Sequence, residues 1–381
     1  MSTTHSPIRI GFVGLSASGG WAATALVPPL FQAPLSDKYK LVAVSTSNAT
    51  SAGAAAKVFS ERAGNHVKAY HDAADLANDP HVDLVAVGVK VPQHKAALLP
   101  ALSKGKSVFS EWPLGRNLEE AKELAQLAKA GGVKTMVGLQ GWQSPVTTKI
   151  REWIAGGKIG RVLGVTWIGQ KANEGNAWGP YMRSGNEWYL EADNGATVLN
   201  IIVGHDMSQI TRIFGPLETV SAMGGKSYPM TEVRDETGKP TGQTLPHAQP
   251  DHWAVNATFK DHPGAVLSAR WRSISTSRPV DKHRPSLLVV IDGEDGVIKF
   301  EMTPSGPWTH LNIMTPSKVI LNDEEVTFDE PPIVGNPGKN WEAFASGVDG
   351  SYATWNDAVV VHEYLAAIEK SAKEGRKIAF D

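Results

Sequence analysis

The chain has 381 residues, which at about 100 to 200 residues per domain favours two domains. Hydrophobic residues make up 41% and charged residues 20%, so the composition excludes collagen-like, coiled-coil and wholly disordered proteins. Lys and Arg total 37 against 39 Asp and Glu, a balance that gives no basic field for binding nucleic acid or an anionic membrane. The absence of cysteine excludes disulfide scaffolds, thiolate metal sites and cysteine nucleophiles.

The N-terminal residues do not resemble a secretory signal. The N-terminus lacks the apolar core of a secretory signal, and no run of about 18 apolar residues occurs. We therefore expect a cytoplasmic protein.

The first part of the chain alternates strand-like and helix-like segments. Apolar, β-branched runs predict strands at 8–14, 40–46, 82–89, 107–112 and 133–140. Helix-like runs lie between them, beginning near Trp21 and at 51–63, 94–105 and 118–132. Nearly continuous apolar strands indicate a parallel sheet covered on both faces. This pattern predicts an α/β fold with an N-terminal doubly wound Rossmann domain over residues 7–140.

From residue 141 onward the pattern changes. Helices are predicted at 144–157, 338–348 and 355–375, and several segments between them alternate apolar and polar residues. That alternation predicts a mainly antiparallel sheet in a second α/β domain over residues 141–381. The Pro-, Gly- and Thr-rich stretch at 228–250 is predicted to be a loop.

A glycine-containing turn follows the first predicted strand. Gly14, Ser16, Ala17, Ser18 and Gly19 lie where a dinucleotide-binding fold brings backbone N–H groups and a helix N-terminus to a pyrophosphate. Ser16 stands where the usual pattern has its second glycine. The position of this turn, at the start of an alternating α/β run, favours a dinucleotide-binding function.

The end of the second predicted strand bears on which coenzyme is bound. Ser45, Thr46 and Ser47 stand where an NAD-selective fold usually has a carboxylate for the ribose 2′-hydroxyl. Small hydroxyl residues do not repel a 2′-phosphate. The sequence therefore favours NADP, with NAD as the alternative coenzyme.

Several motifs together resemble a known family. The turn at 14–19, His94, the segment Ser110-Glu111-Trp112-Pro113, and the runs GLQGWQSP and KIGRV are similar to the glucose-fructose oxidoreductase, inositol dehydrogenase and rhizopine catabolism family. The resemblance spans nearly the whole chain, and it is most detailed for the branch that contains the fungal galactose-pathway repressor. It implies a Rossmann domain, a C-terminal domain with a large open-faced sheet, and a cyclic substrate at the domain junction.

The resemblance also implies site residues, and two of them depart from the family pattern. Coenzyme contacts are implied at Lys90, His94, Glu111, Trp112 and Pro113. Trp112 stands where the family has its catalytic lysine. The family's catalytic aspartate lies four residues before a histidine, whereas the residue four positions before His205 is Ile201, with Asn200 one step further away.

Three side chains are candidates for proton transfer. His205 is the first, because we expect an imidazole pKa near neutrality, which suits acid–base catalysis. The neighbouring Asp206 is a further candidate partner for it. Lys90, at the end of a strand, can replace the missing lysine, and Tyr189 is a lower-ranked donor.

A polar, aromatic segment before His205 supplies candidate substrate contacts. Trp178 and Trp188 can stack on a ring, and Tyr181 and Arg183 can orient hydroxyl groups. These residue types favour a cyclic, uncharged substrate. No metal site is predicted, because the spacing of the histidines does not suit a metal ion.

Two functions remain open from the sequence. The first is an NADP-dependent oxidoreductase that acts on a hydroxyl or carbonyl group of a cyclic, carbohydrate-like small molecule. The alternative is a catalytically silent, NADP-binding regulator that acts through a protein partner. A homodimer is expected in either case, without nucleic-acid or membrane partners.

Overall fold

The computed structural model describes residues 6–173, 178–275, 285–303, 318–328 and 335–381, together with residues 311, 313 and 316. The chain divides into two compact units, Met1–Gln140 with Pro331–Val359, and Gly141–Glu330 with Val360–Asp381. The sequence had assigned residues 331–359 to the C-terminal domain, whereas here they cluster with the first unit.

The first unit is built on a six-stranded parallel sheet. Its strands are β1 (Ile8–Val13), β2 (Tyr39–Ser45), β3 (Lys68–Tyr70), β4 (Leu84–Val87), β5 (Ser107–Ser110) and β6 (Thr135–Val137). They lie in the order β3-β2-β1-β4-β5-β6, and every described pair is parallel. This is the doubly wound Rossmann order, which confirms the predicted fold class. All four residues of β4 are buried, as expected for a strand covered on both faces.

Nine α-helices occur in the described parts of the chain. They are α1 (Leu35–Lys38), α2 (Ala49–Ala63), α3 (Ala73–Asn78), α4 (His94–Ser103), α5 (Leu118–Ala130), α6 (Pro145–Ala155), α7 (Gly204–Phe214), α8 (Gly335–Ser346) and α9 (Trp355–Glu374). Asn48 caps α2 and Asn117 caps α5, each accepting a backbone N–H from the first turn. Within these residues, no helix has both the length and the hydropathy needed to cross a lipid bilayer.

Short helices of other types fill several connections. Two are π-helices, at Ala22–Leu26 and Leu199–Val203, and the others are 3₁₀-helices at Pro28–Phe31, Val91–Gln93, Gln140–Gln143, Glu187–Leu190 and Ala192–Asn194. The helix predicted to begin near Trp21 is present, but it is short and of the π type. A 3₁₀-turn follows it, because Pro28 and Pro29 lack the backbone N–H that a continuing α-helix needs.

The second unit contains a nine-stranded sheet and a smaller one. Its strands are β7 (Val162–Asn173), β8 (Tyr181–Arg183), β9 (Leu217–Gly225), β10 (Met230–Arg234), β11 (Pro240–Pro246), β12 (His252–Phe259), β13 (Val266–Ser275), β14 (Leu287–Gly293), β15 (Val297–Met302), β16 (Lys318–Leu321), β17 (Glu324–Glu325) and β18 (Ile378–Ala379). The larger sheet runs β17-β16-β15-β14-β7-β13-β12-β9-β18.

The nine-stranded sheet is mainly antiparallel and has two unlike faces. Among its described pairs only β7 and β13 are parallel. Along β12, Trp253, Val255 and Ala257 are buried, whereas Ala254 and Asn256 between them are exposed. This alternation confirms the predicted second α/β domain with an open-faced sheet.

The stretch predicted to be a loop at 228–250 forms two strands instead. β10 and β11 pair antiparallel, and β10 pairs with β8 to complete a three-stranded sheet. The prediction was wrong because nearly every residue of β11 is exposed, so its sequence carries no alternation of apolar and polar residues.

Candidate functional site

The turn after β1 requires glycine at position 14. Gly14 has a φ of 90°, and its N–H donates to the Ser45 carbonyl at 2.8 Å. A Cβ atom built on Gly14 would lie 2.7 Å from the carbonyl oxygen of Gly88. Because the obstruction is backbone, it cannot move aside as a side chain would. Glycine is therefore what lets the end of β1 pass this close to the end of β4.

Serine side chains stabilise the rest of this turn. The Oγ atoms of Ser16 and Ser18 lie 2.8 Å apart, and Ser16 Oγ also accepts the Ser18 N–H at 3.2 Å. The Gly19 N–H donates to the Ser16 carbonyl. Ser16 thus closes the turn where the usual pattern has glycine, and it leaves Ala17 and Ser18 exposed to solvent.

The predicted contribution of a helix N-terminus at this turn is wrong. The helix that follows Gly19 and Gly20 is the five-residue π-helix Ala22–Leu26, which is too short to provide the field of a regular helix. The groups that this turn presents to solvent are its own backbone N–H groups and hydroxyls, which form anion sites in other proteins. Coenzyme contacts at these residues stay a prediction.

The end of β2 leads directly into the N-terminus of α2. Ser45 is buried, whereas Ser47 and Asn48 are exposed. The Thr46 and Ser51 hydroxyls lie 2.6 Å apart, and Asn48 Oδ1 accepts the Ser51 N–H at 2.9 Å. Residues 45–51 contain no carboxylate. This turn therefore presents hydroxyl groups and the positive end of a 15-residue helix.

Glu111, immediately after β5, is a buried carboxylate with several donors. It accepts from Gln140 Nε2 at 3.0 Å and from the Trp112 N–H at 3.3 Å, and the Trp21 side chain also hydrogen-bonds to it. A Cβ on Gly138 would lie 2.6 Å from Glu111 Oε2. Burial raises the pKa of Glu111 to about 7, against the lowering effect of these donors.

His94 and its neighbours connect the ends of β4 and β5. His94 is buried, with Nδ1 2.9 Å from the Pro113 carbonyl and Nε2 3.0 Å from the Val89 carbonyl. Burial lowers the pKa of His94. The imidazole therefore bridges the loops that follow β4 and β5. Its contact with the coenzyme stays a prediction. Trp112 is also buried, whereas Lys90 is exposed just beyond β4.

His205 lies in the first turn of α7, directly after the π-helix Leu199–Val203. Burial lowers its pKa to about 4, so the expectation of a pKa near neutrality is wrong. The imidazole is neutral at pH 7. It can then accept a proton or a hydrogen bond, and it is not a ready source of a proton.

Asp206, the candidate partner of His205, is directed into the core of the second unit and bonds to two tryptophans instead. Its Oδ2 atom accepts from Trp167 Nε1 at 2.9 Å and from Trp271 Nε1 at 2.6 Å. All three residues are buried, and desolvation raises the pKa of Asp206 to about 6. This arrangement was not predicted from the sequence, because it joins residues that are far apart along the chain.

The aromatic segment forms a packed cluster. Trp178 is buried, and its Nε1 donates to the Ala196 carbonyl at 2.9 Å. Its ring meets Tyr189 edge-on, with centroids 5.2 Å apart, and Tyr189 lies 3.9 Å from Trp188. Burial raises the pKa of Tyr189. The prediction that Trp178 offers an open stacking face is therefore wrong, because its ring is enclosed by protein.

The other two predicted substrate contacts lie on β8. The Arg234 guanidinium lies 3.9 Å from the centre of the Tyr181 ring, so that ring already has a cation on it. Arg183 is exposed at the end of the strand. Within the described residues, no group of three or more His, Asp or Glu side chains is arranged to hold a metal ion.

Two protein-family models match the chain, one in each of its two main parts. Residues 8–139 match the model described as "Oxidoreductase family, NAD-binding Rossmann fold", and residues 145–302 match "Gal80p, C-terminal domain". Dehydrogenase aclE of Aspergillus oryzae is 30% identical over 379 residues, which cover 97% of each chain.

Two further relatives differ in what their names describe. The galactose/lactose metabolism regulatory protein GAL80 of Saccharomyces cerevisiae is 27% identical over 78% of this chain and 67% of its own length. The bovine trans-1,2-dihydrobenzene-1,2-diol dehydrogenase is 27% identical over 75% of this chain and 70% of its own. The similarity therefore extends to enzymes and to a regulator.

Solved structures agree on the fold. A super-repressor mutant of Gal80p from Saccharomyces cerevisiae superposes with a TM-score of 0.84 at 22% identity, covering 98% of both chains. Levoglucosan dehydrogenase in complex with NADH and L-sorbose gives 0.75 at 18% identity, covering 99% of this chain and 100% of that one. The full-length similarity to aclE, together with the match of the Rossmann half, shows that the chain belongs to the glucose-fructose oxidoreductase, inositol dehydrogenase and rhizopine catabolism family of NAD(P)-dependent oxidoreductases.

Proposed function

We propose that the chain is an NADP-dependent oxidoreductase that interconverts a hydroxyl and a carbonyl group on a cyclic, carbohydrate-like small molecule. The observation that carries the choice of NADP is the turn between β2 and α2. It offers hydroxyls and a helix N-terminus to a 2′-phosphate, and residues 45–51 hold no carboxylate that would repel one. The turn at 14–19 is proposed to receive the pyrophosphate.

The names of two related proteins support a cyclic substrate. The bovine relative is named for a trans-1,2-diol of dihydrobenzene, and the solved dehydrogenase is named for levoglucosan and was crystallised with L-sorbose. Each of these compounds carries hydroxyl groups on a ring. We therefore propose a cyclic compound with neighbouring hydroxyl groups as the substrate class, with Tyr181, Arg183 and Trp188 as the proposed substrate contacts.

His205 is the proposed acceptor of the hydroxyl proton. Bound NADP supplies the hydride acceptor at C4 of its nicotinamide. When a hydroxyl group is oxidised, its carbon loses a hydride and its oxygen loses a proton. A pKa of about 4 keeps His205 neutral at pH 7, which is the form that accepts this proton, and the same burial makes it a weaker base than an ordinary histidine. Lys90 and Tyr189 remain the reserve candidates.

The coenzyme proposal is tested by placing a carboxylate at the end of β2. In Ser47→Asp, the new charge repels a 2′-phosphate but not a 2′-hydroxyl. We expect calorimetry to show NADP binding weakened by at least about 10-fold, which corresponds to about 1.4 kcal/mol, while NAD binding changes little. NAD is the internal control, because a variant that merely misfolds loses both coenzymes. Equal losses for NADP and NAD would refute the proposed phosphate site.

The proton acceptor is tested by following the reduced-nicotinamide absorbance with NADP⁺ and a panel of cyclic diols and sugars. His205→Ala is expected to lower kcat by about 10²-fold. Lys90→Ala is expected to have a smaller effect, and His66→Ala, at an exposed histidine after α2, serves as the matched control. If Lys90→Ala abolishes turnover and His205→Ala does not, the two roles must be exchanged.

A regulatory function is the second candidate, and Trp112 favours it. Trp112 is buried and stands where the resemblance implies a lysine. Its indole N–H can donate a hydrogen bond, but the ring cannot take up or release a proton at neutral pH as a lysine can. The match of residues 145–302 to the Gal80p C-terminal domain points the same way. Coenzyme binding by calorimetry without turnover of any substrate would support a regulator that acts through a protein partner. The expected homodimer and cytoplasmic location stay predictions.

A further inference from the structure

The helix that carries His205 is irregular where it begins. The Gly204 N–H contacts two carbonyls, of Leu199 and Ile201, so the bonding shifts from an i→i+5 pattern to a tighter one at this residue. No side chain caps α7, because the π-helix runs directly into it. The first turn of α7 is therefore the junction of two helix types, a kind of irregularity that often occurs at functional sites.

The side chain next to His205 holds this junction to the sheet. Asp206 Oδ2 accepts both indole N–H groups, from Trp167 on β7 and from Trp271 on β13. Each indole has only one donor, and each uses it here. Hydrogen bonds to a charged acceptor are among the stronger ones, and both of these are shielded from water. We call Asp206, Trp167 and Trp271 the aspartate–indole clamp.

The clamp depends on a glycine in the sheet. Gly169 lies beside Trp271 in the parallel pairing of β7 and β13. A Cβ on Gly169 would lie 2.5 Å from Trp271 Cδ1 and 3.3 Å from Asp206 Oδ2. The Trp271 ring therefore occupies the space that any side chain at position 169 would need. Gly164, on the same strand, has only an ordinary contact, 3.7 Å from the Val266 carbonyl oxygen.

A second contact fixes α7 one turn further along. Trp142 Nε1 donates to Ser208 Oγ at 2.9 Å, and the Arg212 guanidinium lies 4.3 Å from the centre of the Trp142 ring. These contacts hold the middle of the helix. The first turn, where His205 lies, is held to the sheet by Asp206.

We propose that Asp206 is a positioning residue for the reaction: through the aspartate–indole clamp it fixes the first turn of α7 against β7 and β13, and so fixes the imidazole of His205. The proposal rests on the proposed role of His205 in proton transfer. In this proposal Asp206 acts through the helix and not by contact with the substrate. A displacement of about 1 Å at a reacting group can cost about 10²-fold in rate, so a clamp one residue away has a measurable effect.

The test compares two glycine substitutions on one strand. Gly169→Ala is expected to push Trp271 away from Asp206 and lower kcat by about 10- to 100-fold, with the KM for the coenzyme unchanged. Gly164→Ala is the matched control and should leave both constants unchanged. Asp206→Asn, whose amide oxygen still accepts indole N–H groups, should keep kcat within an order of magnitude of the wild type.

A second readout does not need turnover. We would titrate His205 by NMR in the coenzyme-free protein, with its signal assigned by comparison with His205→Gln. Gly169→Ala should increase the access of water to the imidazole, so its pKa should rise from about 4 towards the ordinary value of 6.5. This titration tests the clamp even if no substrate is found, which separates a failure of this inference from a failure of the proposed function.

If Gly169→Ala does not fold, Trp271→Phe removes one donor while keeping an aromatic ring, and a smaller shift in the same direction is expected. The inference is overturned if these variants lower the melting temperature but leave the His205 titration where it is in Gly164→Ala. The clamp would then only stabilise the fold.

Discussion

Glu111 and His205 show how burial sets the charge of a side chain. Desolvation raises the pKa of Glu111 to about 7 and lowers that of His205 to about 4, so each favours its neutral form more than its residue type suggests. The resemblance to the family identified both residues from the sequence, Glu111 in the segment Glu111-Trp112-Pro113 and His205 in the second catalytic motif. Their pKa values were out of reach, because they depend on residues distant in sequence, such as Trp21 and Gln140 around Glu111.

Glutamine at position 111 tests the buried carboxyl group directly. The pKa of Glu111 rises from 4.5 to about 7 on folding, so between those values the folded state binds the proton more tightly than the unfolded state. Stability from this group is therefore fully present below pH 4.5 and falls as the pH rises to about 7. Its contribution changes by about 3 kcal/mol over that window.

Glu111→Gln cannot ionise, and Gln140 can rotate its amide to accept from the new side chain, because its Oε1 atom has no partner. The free energy of unfolding of the wild type minus that of the variant, from denaturant titrations, should fall as the pH rises from 4.5 to 7. A difference that stays flat across this range would contradict the raised pKa.

Among the secondary-structure elements, those with buried apolar runs followed the sequence closely. β1, β2, β4 and β5 were predicted to within a few residues, because a parallel strand buried on both faces is nearly continuous in apolar residues. Elements without that pattern were missed. β11 is largely exposed, and β10 is only five residues long. The two π-helices depend on one extra residue in a turn, which no periodicity reveals.

Two glycines, one at the end of β1 and one inside α2, should respond oppositely to alanine. Gly14 has a positive φ and backbone 2.7 Å from the position of a Cβ, so Gly14→Ala should destabilise the protein by about 2 kcal/mol or more. Gly53 lies inside α2 with nothing within 4 Å, so Gly53→Ala should stabilise it by about 0.5 to 1 kcal/mol. Thermal unfolding of both variants measures this, and a loss of stability in Gly53→Ala would contradict the described geometry of α2.

At the scale of the whole molecule, the sequence predicted both sheets and the change of architecture near residue 141. It did not predict that residues 331–359 cluster with the first unit. Tyr39 Oη donates to the Trp341 carbonyl at 2.6 Å, and Trp341 Nε1 donates to the Leu26 carbonyl at 2.9 Å. Such contacts, between residues about 300 positions apart, leave no local pattern in the sequence.

The most direct test of the proposed function is a single-turnover experiment with the purified protein in excess over NADP⁺. A cyclic trans-1,2-diol is added, and the reduced-nicotinamide absorbance is followed over time. The proposed function predicts an exponential rise to an amplitude set by the NADP⁺, slowed by about 10²-fold in His205→Ala. A protein that binds NADP by calorimetry but gives no rise with any cyclic diol or sugar would contradict it, and would favour the regulator.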